Sequence, residues 1–263
     1  MRTRFAASLT LLASFATVQG QQTRVAPSVS ELLTELHSTN WQDRRDALGY
    51  LRSDSTALSS QSVRTGLLDL LDRENQVLAS TNRGAGPSVD EKYGEEYAEY
   101  VGRLGETVDT FADWNDPHQV CIFVHEAYNP GSRLGAKISA HAKIAFPCLL
   151  EMSRSDIVAD RAEAIPVLVQ ALAKGKSSLD AESVQVAKEQ IVKGLHDPNS
   201  VVRGETVIAL GDFGEVDMIP ALEAVASSDP ASDIRADDNK QWFPIREAAT
   251  QSIVEIKKRA NAN

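Results

Sequence analysis

Apolar residues recur along most of this chain at spacings of three and four, and strand-like alternation is scarce. Leu32, Leu33 and Leu36 show the pattern, as do Leu67, Leu68, Leu70 and Leu71. It returns at Ile165, Leu168, Val169 and Leu172, and again at Ile253, Val254 and Ile256. Such spacing puts one apolar stripe on each helix. Helix limits are marked by Thr39-Asn40, Asp180, Asp197-Pro198-Asn199, Gly211 to Gly214, and Asp229-Pro230, residues that cap or break helices. The pattern predicts an all-α array of about ten to twelve short helices.

The array repeats. Arg203 is followed at plus three, six and seven by Thr206, Ala209 and Leu210, and Arg246 by Ala249, Ser252 and Ile253. Arg161 has Ala164 and Leu168 at plus three and seven, and Arg44 has Ala47 and Leu51. The gaps 161 to 203 and 203 to 246 are 42 and 43 residues, a period that suits two-helix units. Phe146-Pro147, Ile165-Pro166 and Ile219-Pro220 each place Pro after a bulky apolar residue, which predicts Pro in a first helical turn. Asp156, Asp197 and Asp229 are expected in the turns, accepting from free N–H groups.

On Leu195 to Arg203, Ala209-Leu210-Gly211 and Ile219-Pro220-Ala221-Leu222, the chain resembles HEAT repeats, in the short form of proteins related to the phycobilisome lyases. The resemblance implies an α-solenoid of stacked antiparallel helix pairs, a right-handed HEAT-like superhelix whose inner helices line a binding surface. It assigns Asp197, Val202, Arg203 and Pro220 to structure, with Arg246 and Arg161 in the same role and Arg44 in the first unit, where Asp43 replaces Val. The match is good over 145–259 and moderate over 27–53, and it fails over 54–144. Pro166 leaves the register near Arg161 open, and Asp229 to Gln241 exceeds the usual turn. The organisation expected is a leader at 1–20, N-terminal HEAT-like helices at 21–81, an irregular helical insertion at 82–144 and C-terminal repeats at 145–263.

The first residues alter the picture of where this chain works. Arg2 and Arg4 precede an uncharged apolar run, Phe5 to Val18, and small residues at Val18 and Gly20, the layout of a secretory signal peptide. The run is too short to span a bilayer comfortably, and no span is expected after cleavage. Export to a periplasm or the medium follows. The whole chain carries 27 Lys plus Arg against 37 Asp plus Glu; removing the leader takes two arginines, leaving 25 − 37 = −12. That charge opposes binding to nucleic acid or anionic lipid. Cys121 and Cys148 are either two buried thiols or a disulfide, and an oxidising compartment favours the disulfide.

Candidate chemistry is sparse. Tyr93, Tyr97 and Tyr100 share a helix face at i, i+4 and i+7, which reads as a packed aromatic seam or as an exposed recognition stripe. His118, His125 and His141, with Glu126, are the only cluster with metal-ligand character, yet none has the i, i+4 spacing or HExxH pattern of a zinc site. Asp233, Asp237, Asp238 and Asn239 miss the calcium-loop pattern. GxSxG, P-loop, GxGxxG and CxxC motifs are missing from the sequence, so neither a catalytic set nor a cofactor is expected. The function expected is non-enzymatic binding of an unidentified protein, with Trp114, Phe123 and Tyr128 as candidate anchors. The alternative is an enzyme or enzyme subunit of the chromophore-lyase kind, which the resemblance suggests.

Overall fold

The computed structural model describes residues 27–81, 93–125, 133–234 and 241–262. The leader, Glu126, Tyr128, Asp237, Asp238 and Asn239 lie outside these residues.

Side-chain oxygens start the helices where the turn residues predict. Helix α1, Val29–Leu36, opens on a capping box: the Ser28 hydroxyl accepts from Glu31 N, and the Glu31 carboxylate accepts from Ser28 N. Asn40 caps α2, Trp41–Ser53, and Asp54 caps the short α3, Ser55–Ser59. Next come α4, Gln61–Thr81, and α5, Glu95–Asp109, which begins at Gly94 with φ of 83°, a left-handed conformation that favours glycine. Asp116 caps α6, Pro117–Val124. Helices α7, Arg133–Ala140, and α8, Ala142–Met152, lead into α9, Val158–Gly175. Asp180 caps α10, Ala181–Leu195, and Asn199 caps α11, Ser200–Phe213. Helix α12, Ile219–Ser228, has Pro220 in its first turn, and α13, Pro244–Ala262, closes the chain. The long connection before α13 contains a small antiparallel hairpin in which Asp233 pairs with Trp242 and Ile234 with Gln241.

The described residues hold thirteen α-helices, more than the expected ten to twelve, because short helices such as α3, α6 and α7 stand as separate elements. The pairs α8–α9, α10–α11 and α12–α13 stack, with α9, α11 and α13 side by side in one layer and α8, α10 and α12 in the other. This is an all-α solenoid. Close approach of α11 to α13 depends on Gly211, where a Cβ would stand 2.6 Å from Ser252 Oγ. That hydroxyl donates to Val207 O at 2.9 Å, so the polar group in this seam is satisfied. Two prolines depart from expectation: Pro147 and Pro166 lie inside α8 and α9, not in first turns. An interior Pro removes one i→i−4 bond, and the tertiary packing of α9, where Pro166 is buried, holds the helix together regardless.

Two hydrophobic cores run through the stack, one drawing on residues 32–123 and the other on 120–256. They meet on α6, which sends Ile122 and Phe123 into the first and Val120 and Val124 into the second. Part of the segment expected to be irregular continues the stack, since α6 packs on α8 and α7 on α9. Cys121 and Cys148 form a disulfide between α6 and α8, with Cα atoms 5.6 Å apart. Among the described residues no further helix packs on the far edge of α13, and the positions that on α11 are Gly204 and Val207 are here exposed Glu247 and Thr250.

Candidate functional site

The four arginines picked out by spacing form rungs of a ladder. Arg161 grips Asp197 through Nε at 2.7 Å and Nη2 at 3.1 Å, while its Nη1 donates to Ser155 O at 2.8 Å. Arg203 repeats the arrangement on Asp229, at 2.6 and 3.2 Å, with Nη1 donating to Asp197 O at 2.8 Å. Arg44 sends Nη1 to Ser38 O at 2.8 Å and Nε to Glu74 at 2.6 Å. Each of these three guanidinium groups therefore ties its own turn, six residues back, to a carboxylate further along the stack, whereas Arg246 donates Nε to Asp229 O. The side chain at that turn position also accepts an amide two residues on: Ser38 from Asn40, Ser155 from Ile157, Asp197 from Asn199.

Ser155 thus takes the place expected for Asp156. A signal for it exists in the sequence: Ser38, Asp43 and Arg44 share their spacing with Ser155, Asp160 and Arg161, and in both units the Ser hydroxyl donates to the Asp. Burial pushes the Asp197 and Asp229 carboxyls up, but hydrogen bonds from Arg161 and Arg203, amide hydrogen bonds from Asn199 and Ala231 and the nearby guanidinium charges together outweigh it and hold both below the usual carboxylate range.

Glu74 is the rung that spacing missed. It is 1% exposed, and besides Arg44 it accepts from Tyr97 OH at 2.5 Å and Tyr100 OH at 2.9 Å. Burial first, then this carboxylate, raise both phenols above their ordinary value. The tyrosine face is consequently a packed seam in which Tyr93 stacks on Tyr97 at 4.7 Å, with Tyr97 and Tyr100 each 1% exposed. Phe123 is fully buried and stacks on half-buried Trp114 at 4.9 Å. Of the candidate anchors, Tyr97, Tyr100 and Phe123 are therefore enclosed by the chain itself, because their rings fill the first core.

The histidines are not brought together as one site. His118 and His125 are exposed, whereas His141 lies half-buried with Nδ1 2.9 Å from Lys137 O and its ring 5.3 Å from Trp114. Among the described residues no three His, Cys, Asp or Glu side chains are placed to hold a metal ion. A groove of about 460 Å³ between α2 and α5 is lined by Arg45, Arg52, Arg103, Glu96 and Glu99 above Tyr100. Arg45 pairs with Glu96 across the groove at 2.8 Å, and Arg103 with Glu99 one turn back on α5 at 2.5 Å. Such exposed pairs contribute about 0–1 kcal/mol each.

Residues 168–237 match the family model of HEAT repeats. That segment carries HEAT repeats. The match holds the Asp197, Val202, Arg203 and Pro220 positions, and the ladder carries the same tie outside it, to Arg161 on one side and Arg44 far upstream. No curated protein matches the chain. Among solved structures it is similar to a crystal structure of an engineered protein from the Northeast Structural Genomics Consortium, at 17% identity and a TM-score of 0.40, covering 88% of this chain and 96% of that one.

The second helices of these HEAT units differ in what they show to solvent. Counting from its rung arginine, α11 exposes Val201, Glu205, Ile208 and Asp212 at −2, +2, +5 and +9. The same positions of α9 are Ala159, Glu163, Pro166 and Gln170, and there Pro166 is buried and Gln170 is 0% exposed. Helix α7 packs on α9, and its Ser139 O approaches to 2.5 Å of where a Cβ on Gly175 would sit. Residues that a HEAT stack elsewhere gives to solvent are thus covered here, and both amide atoms of Gln170 are buried without a partner.

The covered carboxylate has a pH consequence. Burial, and to a lesser degree the Asp160 carboxylate, push Glu163 up to about 7 from 4.5. The folded protein then holds a proton that the unfolded chain releases, so stability falls as pH rises from about 4.5 to about 7 and is constant in this term above that. The loss is on the order of 3 kcal/mol. Replacing Glu163 with Gln is expected to abolish this decline, read as urea midpoints at about pH 5 and about pH 8; equal slopes in both proteins would contradict it.

Proposed function

We propose that this chain is a non-enzymatic scaffold that binds a protein segment outside the cytoplasm. The observation that carries the reading is the open stripe on α11: Val201 and Ile208, 56% and 52% exposed and two turns apart, alternate with exposed Glu205 and Asp212. An apolar pair with acidic neighbours suits an amphipathic helix whose apolar face is flanked by Lys or Arg. The net charge of −10 favours the same cationic partner. Export is supported by the leader at 1–20 and by the Cys121–Cys148 disulfide, which persists in oxidising compartments.

The test is crosslinking in the producing cell followed by mass identification. Capture of a helix-bearing partner by the native chain is expected to fall by roughly tenfold or more in V201E/I208E, with an unchanged melting temperature because both sites face solvent. Undiminished capture would remove this stripe as the interface. Intact-mass measurement of the exported form should place its first residue at Gln21; a cytoplasmic, full-length product would refute export.

A further inference from the structure

Among the described residues one rung of the ladder holds no acid. Arg44, Arg161 and Arg203 each hold a carboxylate, but Arg246 donates only its Nε, to Asp229 O at 2.7 Å. That carbonyl belongs to the turn Asp, the place from which Asp197 O accepts Arg203 Nη1. The Nη1 and Nη2 groups of Arg246 are left without an acceptor among the described residues. Its guanidinium lies 4.0 Å from the centroid of Phe243, and both side chains, with Gln241, Trp242, Glu247 and Thr250, line a pocket of about 240 Å³. Trp242 brings a second unmet donor, since its indole Nε1–H is buried with no partner.

We propose that the Arg246 pocket is a carboxylate-binding site that receives an Asp side chain from a partner protein, presented in an Asp-Pro turn. The class of ligand is read from the rungs already filled. Arg161 holds the Asp of Asp197-Pro198 and Arg203 that of Asp229-Pro230, and in each case one carboxylate oxygen also accepts the amide two residues on, from Asn199 and from Ala231. The free Nη1–Nη2 edge of a planar guanidinium matches a carboxylate fork to fork, and the unmet indole N–H asks for an acceptor as well. Glu247 on the rim opposes an anion, so E247Q is expected to tighten binding. This inference goes beyond the proposed function and stands on a separate helix from the α11 stripe, so either can fail alone.

The probe is a blocked hexapeptide with the sequence of residues 227–232, titrated into the full chain labelled with nitrogen-15. Saturable shifts of Arg246 Nε–H and Trp242 Nε1–H are expected. Binding should be roughly tenfold weaker for the same peptide with Asp229→Asn and for acetate, a contrast that needs no altered protein. R246Q should abolish the Trp242 response. Absence of saturable shifts, equal binding of the Asn peptide, or an unchanged response in R246Q would each overturn the proposal. Acetate binding as well as the peptide would make the site one for small free carboxylates. If D237N/D238N alone strengthened peptide binding, the chain's own acids would be the occupant, and either result would likewise sink the assignment.

Discussion

Replacing Arg203 with Ala is expected to lower the unfolding free energy by about 3–5 kcal/mol, because it strands a buried carboxylate. Arg203 and Asp229 have side chains only 9% and 2% exposed, joined through two N–H groups, and the third nitrogen ties down Asp197 O and Pro198 O. Truncation leaves Asp229 without its cation and two turn carbonyls without a donor. A pair of apolar replacements, Arg203→Met with Asp229→Leu, is expected to cost much less than the single change, since no charge is then left in the interior. Urea unfolding of the three proteins makes the comparison; a single variant within about 1 kcal/mol of the parent would show that the rung is not a stabilising tie.

Acid separates this from ordinary loss of packing. In the parent, Asp229 sits below its usual range, so its share of stability is complete above about pH 4 and drains away as pH falls through the folded value. In R203A the hydrogen bonds from the guanidinium are gone, and burial is opposed only by the Ala231 amide and the Arg246 charge, which moves Asp229 upward and makes the protonated form better tolerated than in the parent. The stability gap between parent and variant should therefore narrow on acidification. A gap that stayed constant with pH would assign the loss to packing.

How much of this was legible follows from the range of each interaction. The ladder could be read because its parts recur at fixed offsets: Arg at the fourth residue of α2, α9 and α11, and an Asp in the turn before α11. Asn40, Asp180 and Asn199 could be read as caps because capping is settled within three residues. Glu74 could not, since in sequence it stands among Asp69, Asp72 and Arg73 as one more charge of α4; only the approach of α2 and α5 buries it. The tyrosine face was evident from its period, but the destination of its hydroxyls was not. Pro147 and Pro166 misled because a local preference for the first turn gave way to packing along α8 and α9. Glu163 and Gln170 occupy positions that the repeat gives to solvent, and nothing near them in sequence announces α7 above.

The same distinction sets the outcome of removing the disulfide. C121S/C148S is expected to lose about 3–4 kcal/mol, the constraint on the unfolded chain from closing a loop whose ends are 27 residues apart. Its place adds a second consequence. The two cores share α6, whose Ile122 and Phe123 face one while Val120 and Val124 face the other, and Cys121 ties that helix to α8. Without the tie, cooperation between the halves rests on one eight-residue helix and on the contacts of Trp114 and Leu134, which touch both cores. Repeat stacks unfold as units coupled through their interfaces, so weakening the junction lets the less stable half melt first. Unfolding of the variant followed by Trp41 in the first core and by the helical signal of the whole chain should therefore give separate transitions, where the parent gives one. Coincident curves with an unchanged midpoint would mean that the cores are joined through α6 by packing alone.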